Sequence, residues 1–186
     1  ALGKPTVVVL FNGRPLDIRR LSERADAILE AWFPGNEGGS AVADVLFGDR
    51  LPEGRLTMSF PYTVGQVPVY YNGFSTGRPI DREWSDQRYL SRYIDIPNAP
   101  LYPFGFGLHY TTVTYGKPVL SAPSMTEELA ACISVTNSGN RPAVETVQLY
   151  IRDVCGSVVR PVRELKGFQK VRLAPGETAK IRFVIT

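Results

Sequence analysis

The stretch Val7-Val8-Val9-Leu10-Phe11, between Pro5 and Asn12-Gly13, decides the fold of the first part of the chain. Its five consecutive apolar residues match the length of a strand and fall far short of the roughly 18 that a membrane-spanning helix needs. An apolar run without polar alternation is typical of parallel sheets, whose strands are covered on both sides. The stretch therefore predicts a strand that is buried on both faces of a parallel sheet.

The residues that follow repeat an order of strand, loop and helix. Residues 20–25 are predicted to form a short helix and residues 27–32 a second strand. Apolar residues at helical spacing predict a further helix over residues 40–47, and Gly48 is the residue type that commonly follows a helix end. Strands that alternate with helices indicate βαβ units. Residues 1–72 are therefore predicted to be the α/β part of the chain.

A long segment without regular periodicity follows, rich in proline, glycine and aromatic residues. Such a segment inside a compact domain is usually functional or disordered. Its many aromatic side chains, such as Tyr70 and Tyr102, favour an ordered segment that packs on another surface. Residues 73–107 are accordingly predicted to be a long aromatic loop or linker, packed between or across domains.

After Leu108 the chain changes to short alternating strands separated by turn residues, such as Asn137-Ser138-Gly139-Asn140. The predicted strands cover residues 111–115, 129–136, 146–152, 158–162, 166–171 and 178–185. An immunoglobulin-like sandwich has about seven strands, so this one is predicted to be incomplete. The predicted fold class is thus α/β followed by all-β, with a sandwich over residues 108–186.

Composition excludes several classes of function. The net charge is only +3, and the basic residues are scattered rather than clustered as nucleic-acid binding requires. Cys132 and Cys155 lack the spacing of a zinc site and are too few for a disulfide scaffold. We expect both to be free thiols, with Cys132 on the outer face of its strand, which weakly favours a reducing compartment.

No catalytic group is visible from the residues alone. The single histidine, His109, excludes a site that needs two histidines from this chain, and its default interpretation is a packed or surface side chain. The glycine-rich loop over residues 35–40 matches neither nucleotide-binding fingerprint. A glycosidase needs two carboxylates ~5–9 Å apart, whereas the acids here are spread out, and Glu37 is expected to cap a helix.

Both ends of the chain have the character of interior segments. Gly3 and Pro5 are typical of the end of a helix that began upstream, and the strand pattern of Ile181 and Phe183 continues to the last residues. We therefore expect a longer protein. Its compartment cannot be read from this chain, so a cytoplasmic and a periplasmic or secreted location both stay open.

Ordered motifs extend along nearly the whole chain. In the first part they are KPTVVVLFNGRPL (4–16), AILEAWFPGNEGGSAVADVLFGD (27–49), GRLTMSFP (54–61), GQVPVYYN (65–72), TGRP (76–79) and PLYPFGFGL (100–108). In the second part they are VTNSG (135–139), RPVRELKGF (160–168) and LAPGE (173–177). With these motifs the chain resembles the C-terminal portion of glycoside hydrolase family 3 β-glucosidases of the bacterial periplasmic type.

The resemblance implies a TIM-like barrel first, then an α/β sandwich domain, then a fibronectin type III-like domain. Residues 1–72 would be the end of the α/β sandwich domain and residues 108–186 a truncated fibronectin type III-like domain. The nucleophilic Asp and the acid/base Glu of the family belong upstream, so no catalytic residue, metal ligand or cofactor is expected here.

The implied activity is that of a retaining, exo-acting β-glucosidase that removes terminal non-reducing β-D-glucosyl residues. Arg78, Trp84 and Asn72 are our candidates for substrate contact, because an Arg donor beside an aromatic ring suits the hydroxyls and the apolar face of a sugar. The competing interpretation is that Arg78 pins its loop through an acid.

The expected partners are a β-glucoside or oligosaccharide and the remainder of the same polypeptide, with no nucleic acid and no membrane. A homodimer is left open. Three alternatives remain: β-xylosidase activity, N-acetylglucosaminidase activity, and a non-catalytic carbohydrate-binding or adhesion module.

Overall fold

The computed structural model describes residues 3–79, 87–124 and 128–185. Within these residues strands predominate and helices are few and short. The chain divides into two compact units. The first unit contains the residues up to Asp49, Leu56–Phe106 and Cys155–Val162, and the second, which we call the sandwich unit, contains Arg50–Arg55, Gly107–Val154 and the residues from Arg163.

The first unit contains a small parallel sheet. Strands β1 (Val7–Leu10) and β2 (Ala27–Glu30) pair in parallel, with α1 (Arg19–Ser22) between them in sequence. The two predicted strands and the short helix are therefore present. The prediction that β1 is buried on both faces is wrong for the described residues, where Val7 is 52% exposed. The reason is that β2 is the one strand paired with β1 there.

Helix α2 (Gly38–Phe47) begins two residues before the predicted start. Gly48 ends it in the left-handed conformation, with φ of 84°, and its N–H donates to the carbonyl oxygen of Val45 at 3.2 Å. Glu37 occupies the N-cap position, but its side chain makes no capping hydrogen bond, so the predicted capping role is wrong. No helix of the described residues is long and apolar enough to cross a membrane.

Aromatic side chains hold residues 56–106, which we call the excursion, within the first unit. Tyr71 stacks on Phe104 with ring centroids 4.0 Å apart, and Tyr102 stacks on Phe106 at 5.1 Å. Phe60 is 1% exposed and forms an isolated antiparallel bridge with Tyr102. The segment Leu56–Phe106 thus clusters with the first unit.

A buried amide closes the loops within the excursion. Gln66 is 3% exposed and is the last residue of a short 3₁₀ helix, Val64–Gln66. Its Nε2 donates to the carbonyl oxygens of Pro97 at 2.8 Å and Ala99 at 3.2 Å, and its Oε1 accepts from the Tyr62 N–H at 2.5 Å. These bonds replace the regular ladder that the segment lacks.

The sandwich unit consists of two antiparallel sheets. In one sheet β5 (Leu129–Asn137) pairs along its length with β8 (Thr178–Ile185), and on its other edge with β3 (Val113–Tyr115) and β4 (Val119–Leu120). The second sheet pairs β6 (Ala143–Ile151) with β7 (Glu164–Leu173). The core joins both sheets through Val135, Val147, Leu173 and Ile181, which are all nearly inaccessible to solvent.

Two strand predictions in the second part were wrong. Residues 158–162 are not a strand: Pro161 makes one isolated bridge with Phe74, and the Val162 N–H donates to the Gly73 carbonyl at 2.9 Å within the first unit. Pro161 lacks the N–H that a ladder requires. Strand β4 was missed because its two residues are too few to show a period.

Candidate functional site

Arg78 lies on the surface of the excursion, beside an aromatic ring. Its guanidinium carbon is 6.0 Å from the centroid of Tyr89, which is 78% exposed. Its backbone carbonyl accepts the Ser91 N–H at 2.8 Å, and Pro79 forms a parallel bridge with Ser91. The backbone around Arg78 is therefore held while its side chain remains accessible, as a ligand-binding arginine requires.

The other two predicted substrate residues are less informative. Asn72 is exposed and lies at the start of the same loop, and no recorded contact joins it to Arg78. Trp84 lies outside the described residues. None of the ion pairs among the described residues includes Arg78, but Asp81 and Glu83 also lie outside them, so the pinning interpretation stays a prediction.

Sequence reasoning missed a cluster of buried charged side chains in the sandwich unit. Arg55 Nη2 lies 2.8 Å from Glu145 Oε1 and 2.6 Å from His109 Nε2, and the same nitrogen of His109 contacts Glu145 Oε2. The side chains of Arg55, His109 and Glu145 are 11%, 9% and 6% exposed. An ionised carboxylate only accepts, so both Arg55 and His109 donate to Glu145.

The carboxyl group of Glu145 is held ionised by its neighbours. Burial alone would raise its pKa, but the hydrogen bond from His109, the positive charge of Arg55 and the hydrogen bond from the Tyr115 hydroxyl together place the pKa below the ordinary value. Burial, and then the hydrogen bond and negative charge of Glu145, raises the pKa of Tyr115. A carboxylate stabilised in this way is a weak base, so the cluster is suited to joining chain segments rather than to moving protons.

Neighbouring contacts fasten segment Arg50–Arg55 to the second sheet. The Thr146 hydroxyl donates to the Glu53 carbonyl oxygen at 3.1 Å, and Lys170 Nζ lies 2.8 Å from Glu53 Oε2. Gly107 also approaches this segment closely, since an added Cβ would lie 2.7 Å from the Gly54 carbonyl oxygen and 2.9 Å from Arg55 Nη1. Glycine is therefore required at this position.

The sequence did contain a signal for this cluster. Glu145 alternates with Ala143 and Val147 on one face of β6, and Val147 belongs to the core. A charged residue on the core face of a strand requires a partner. The default interpretation of His109 as a packed or surface side chain agrees with its burial. The sequence did not reveal that Arg55 and Glu145 contact it.

A second partly buried carboxyl group lies at the end of β2 in the first unit. Glu30 Oε1 accepts the backbone N–H of Trp32 at 2.8 Å, whereas Glu30 Oε2 and the nearby Asn12 Oδ1 are buried without a hydrogen-bond partner in the described residues. Burial raises the pKa of Glu30. The hydrogen bonds from Trp32 and the Asn12 side chain lower it, but by less. Trp32 itself has φ of 48°, in the left-handed region.

The part of the chain that the structure describes also contains acidic side chains and two cysteines. No group of three or more His, Cys, Asp or Glu side chains there could hold a metal ion. Cys132 and Cys155 form no disulfide in the described residues and are both exposed, and Cys132 is on the outer face of β5 as predicted.

Two family sequence models match the chain. The Glycosyl hydrolase family 3 C-terminal domain matches residues 1–110, and the Fibronectin type III-like domain matches residues 145–186. The second match covers β7, β8 and most of β6 in the sandwich unit. The first match covers more than half of the chain.

Similar proteins are glycosidases. The chain is 52% identical over its whole length to the "Periplasmic beta-glucosidase" of Salmonella typhimurium and 47% identical, over 97% of its length, to a "Beta-xylosidase" of Formosa agariphila. It spans about a quarter of the length of these curated relatives, 24% of each. The crystal structure of a β-glucosidase from Listeria innocua in complex with isofagomine superposes with a TM-score of 0.93 at 47% identity, over all of this chain and 26% of that one. With a family model that matches residues 1–110, the chain belongs to glycosyl hydrolase family 3.

Proposed function

We propose that the protein containing this chain is a retaining, exo-acting β-glucosidase that hydrolyses terminal non-reducing β-D-glucosyl residues. The observation that carries the proposal is the agreement of sequence and fold over the whole chain with β-glucosidases, at 52% identity to one and a TM-score of 0.93 to another. A retaining mechanism needs two carboxyl groups, one as nucleophile and one as acid and base. We expect both on segments other than this chain.

A β-xylosidase is the second candidate, and the 47% identical relative named "Beta-xylosidase" favours it. The two activities differ by one hydroxymethyl group on the sugar. Assay of the full-length protein with aryl β-glucoside and aryl β-xyloside compares them directly, and a higher kcat/KM for the xyloside would replace the first proposal with the second. With an aryl N-acetyl-β-glucosaminide as a third substrate, turnover of that substrate alone would indicate an N-acetylglucosaminidase, and no turnover of any of the three would favour a non-catalytic carbohydrate-binding module.

Within this protein the chain acts as scaffold and supplies a substrate-side loop. Residues 1–186 alone should therefore not turn over an aryl β-glucoside that the full-length protein hydrolyses. Turnover by the 186-residue chain would contradict this assignment. Domain boundaries after residues 72 and 107, with the first part as the end of an α/β sandwich domain, belong to the same proposal.

Arg78 is the residue we propose for substrate contact, with Asn72 and Trp84 as secondary candidates. Its exposed guanidinium beside the Tyr89 ring offers hydrogen-bond donors next to an aromatic surface, which suits a sugar bound beyond the scissile bond. Arg78→Ala in the full-length protein should raise KM for a disaccharide more than for an aryl glucoside. The lost binding free energy should be ~1–3 kcal/mol, the value for a charge-assisted hydrogen bond.

The matched control is Arg92→Ala, at a partly exposed arginine of the excursion whose Nη1 donates to the Tyr93 carbonyl oxygen at 3.3 Å. This variant should leave both KM values unchanged. Equal losses on both substrates for Arg78→Ala, or lower thermal stability with unchanged kinetics, would favour the pinning role instead.

We also propose a periplasmic or secreted location, which the name of one relative, a "Periplasmic beta-glucosidase", supports. Fractionation of the native host with an antibody to the protein tests it. A homodimer also stays a prediction, which the mass of the full-length protein in solution tests.

A further inference from the structure

The two ends of the excursion meet at its base through backbone hydrogen bonds. The Leu56 N–H donates to the Phe106 carbonyl oxygen at 2.8 Å, and the Gly105 N–H donates to the Leu56 carbonyl oxygen at 2.7 Å. Further in, the Phe60 N–H donates to the Tyr102 carbonyl oxygen at 2.8 Å. The excursion is thus a long loop whose start and end are adjacent.

The chain neighbours of these two ends converge on Glu145. Arg55 immediately precedes Leu56, and Gly107 immediately follows Phe106, with His109 two residues further. Arg55 and His109 both donate to the Glu145 carboxylate, and Gly107 allows the close approach of the Gly54 carbonyl and the Arg55 side chain. A single carboxylate therefore binds both the residue before the excursion and the residues after it.

We propose that the Arg55, His109 and Glu145 side chains form a clamp that closes the base of the excursion, and that Glu145 is thereby a positioning residue for the loop that carries Arg78. The positioning role rests on the proposed function. The clamp replaces two independent chain ends by one ion cluster, which reduces the conformational freedom of the loop between them. Its geometry is specified because Arg55 Nη2 must reach Oε1 while His109 Nε2 reaches Oε2 of the same carboxylate.

Other charged or titratable groups complete the surroundings of Glu145. Tyr115 on β3 donates its hydroxyl to the carboxylate. Glu53 has its own partner, Lys170 on β7, in an exposed pair whose side chains are about half accessible to solvent. Among the described residues, Glu145 is therefore the buried carboxylate that both Arg55 and His109 contact.

Hydrogen exchange of the full-length protein, read by mass spectrometry, tests the clamp without any substrate. Glu145→Gln, and the milder His109→Gln, should speed exchange in peptides covering residues 56–60 and 101–106 by about tenfold, while peptides of β1 and β2 keep their rates. Glu128→Gln is the control, since it removes one exposed ion pair, with Arg182, from the same unit. It should change neither set.

The same variants should raise KM for a disaccharide severalfold while kcat for an aryl glucoside stays within about twofold. Unchanged exchange at the base in both variants overturns the proposal. So does, in the milder His109→Gln variant, a rise in β5 and β8 equal to that at the base, which is simple destabilisation of the sandwich. Faster exchange at the base with unaltered KM also overturns it. Failure of the proposed function is seen separately, in the wild-type full-length protein, as a higher kcat/KM for the aryl β-xyloside or as no turnover of the aryl β-glucoside.

Discussion

Glu30 in the first unit and Glu145 in the sandwich unit are two carboxyl groups withdrawn from solvent whose pKa values move in opposite directions. Glu30 receives hydrogen bonds from a backbone N–H and an amide, neither of which carries a charge. Glu145 receives one from a guanidinium, one from an imidazole and one from a phenol.

Burial opposes ionisation at both sites, and what differs is the charge of the partners. Neutral donors at Glu30 do not compensate for lost hydration, so its pKa rises. The cationic guanidinium and the hydrogen bonds at Glu145 overcompensate, so its pKa falls. Burial of an acid alone therefore says little about its role, and the residues that face it decide whether it stabilises the fold.

Glu145→Gln is expected to have the largest effect on the free energy of unfolding. This change keeps the shape of the side chain but leaves Arg55 buried without its counter-charge, which typically costs about 3–5 kcal/mol of unfolding free energy. Urea denaturation of the 186-residue chain, followed by circular dichroism, measures it. The exposed pair of Glu128 and Arg182 provides the control, because Glu128→Gln should cost at most about 1 kcal/mol. Equal effects of the two variants would contradict the comparison.

The effect of Glu145→Gln should also depend on pH. The pKa of Glu145 in the folded chain lies below its ordinary value of 4.5, so the unfolded chain binds the proton first as pH falls. The stabilisation by the carboxylate is therefore present above that ordinary value and is lost as pH falls through the lower, folded pKa. Denaturation at a series of acidic pH values should show the stability difference between wild type and variant shrinking in this window. A difference that stays constant would mean that the charge of Glu145 is not what stabilises the sandwich unit.

A smaller loss is expected for Tyr115→Phe. The variant removes one hydrogen bond to Glu145 while Arg55 and His109 remain, which typically costs about 1 kcal/mol. Thermal or urea unfolding of the chain tests it. Tyr110→Phe, at another partly exposed tyrosine of the sandwich unit, is the matched control. A loss as large as that of Glu145→Gln would show that the phenol, rather than Arg55 and His109, dominates the cluster.

The smallest effect, of opposite sign, is expected for Glu30→Gln. The raised pKa of Glu30 means that ionisation costs more in the folded chain than in the unfolded one, so this cost appears as pH rises through the ordinary value of 4.5 towards the higher, folded pKa. Removing the charge should leave stability at neutral pH unchanged or raise it by less than about 1 kcal/mol, because the Gln oxygen still accepts from Trp32. A clear loss of stability at neutral pH would indicate that Glu30 has a cationic partner.

Local sequence patterns predicted much of the fold. The apolar run at residues 7–11, the glycine at 48 and the alternation at residues 178–185 each correspond to an element of the structure within a few residues. These signals succeed because they arise from the chain itself: strand period, helix termination and turn chemistry depend on near neighbours. The failures at residues 158–162 and at β4 concern pairing with distant segments or elements too short for a period.

The sequence by itself determined most of the order of the elements, the main turns and the family resemblance, since these depend on residue types at fixed spacings. The tertiary structure alone decided that Arg55, His109 and Glu145, separated by up to 90 residues, share one buried cluster. It also decided that residues 155–162 pack with the first unit and that two buried acids have opposite pKa shifts. The physical reason is that electrostatic and hydrogen-bond energies depend on distances between side chains, and these distances are set only when remote strands pair.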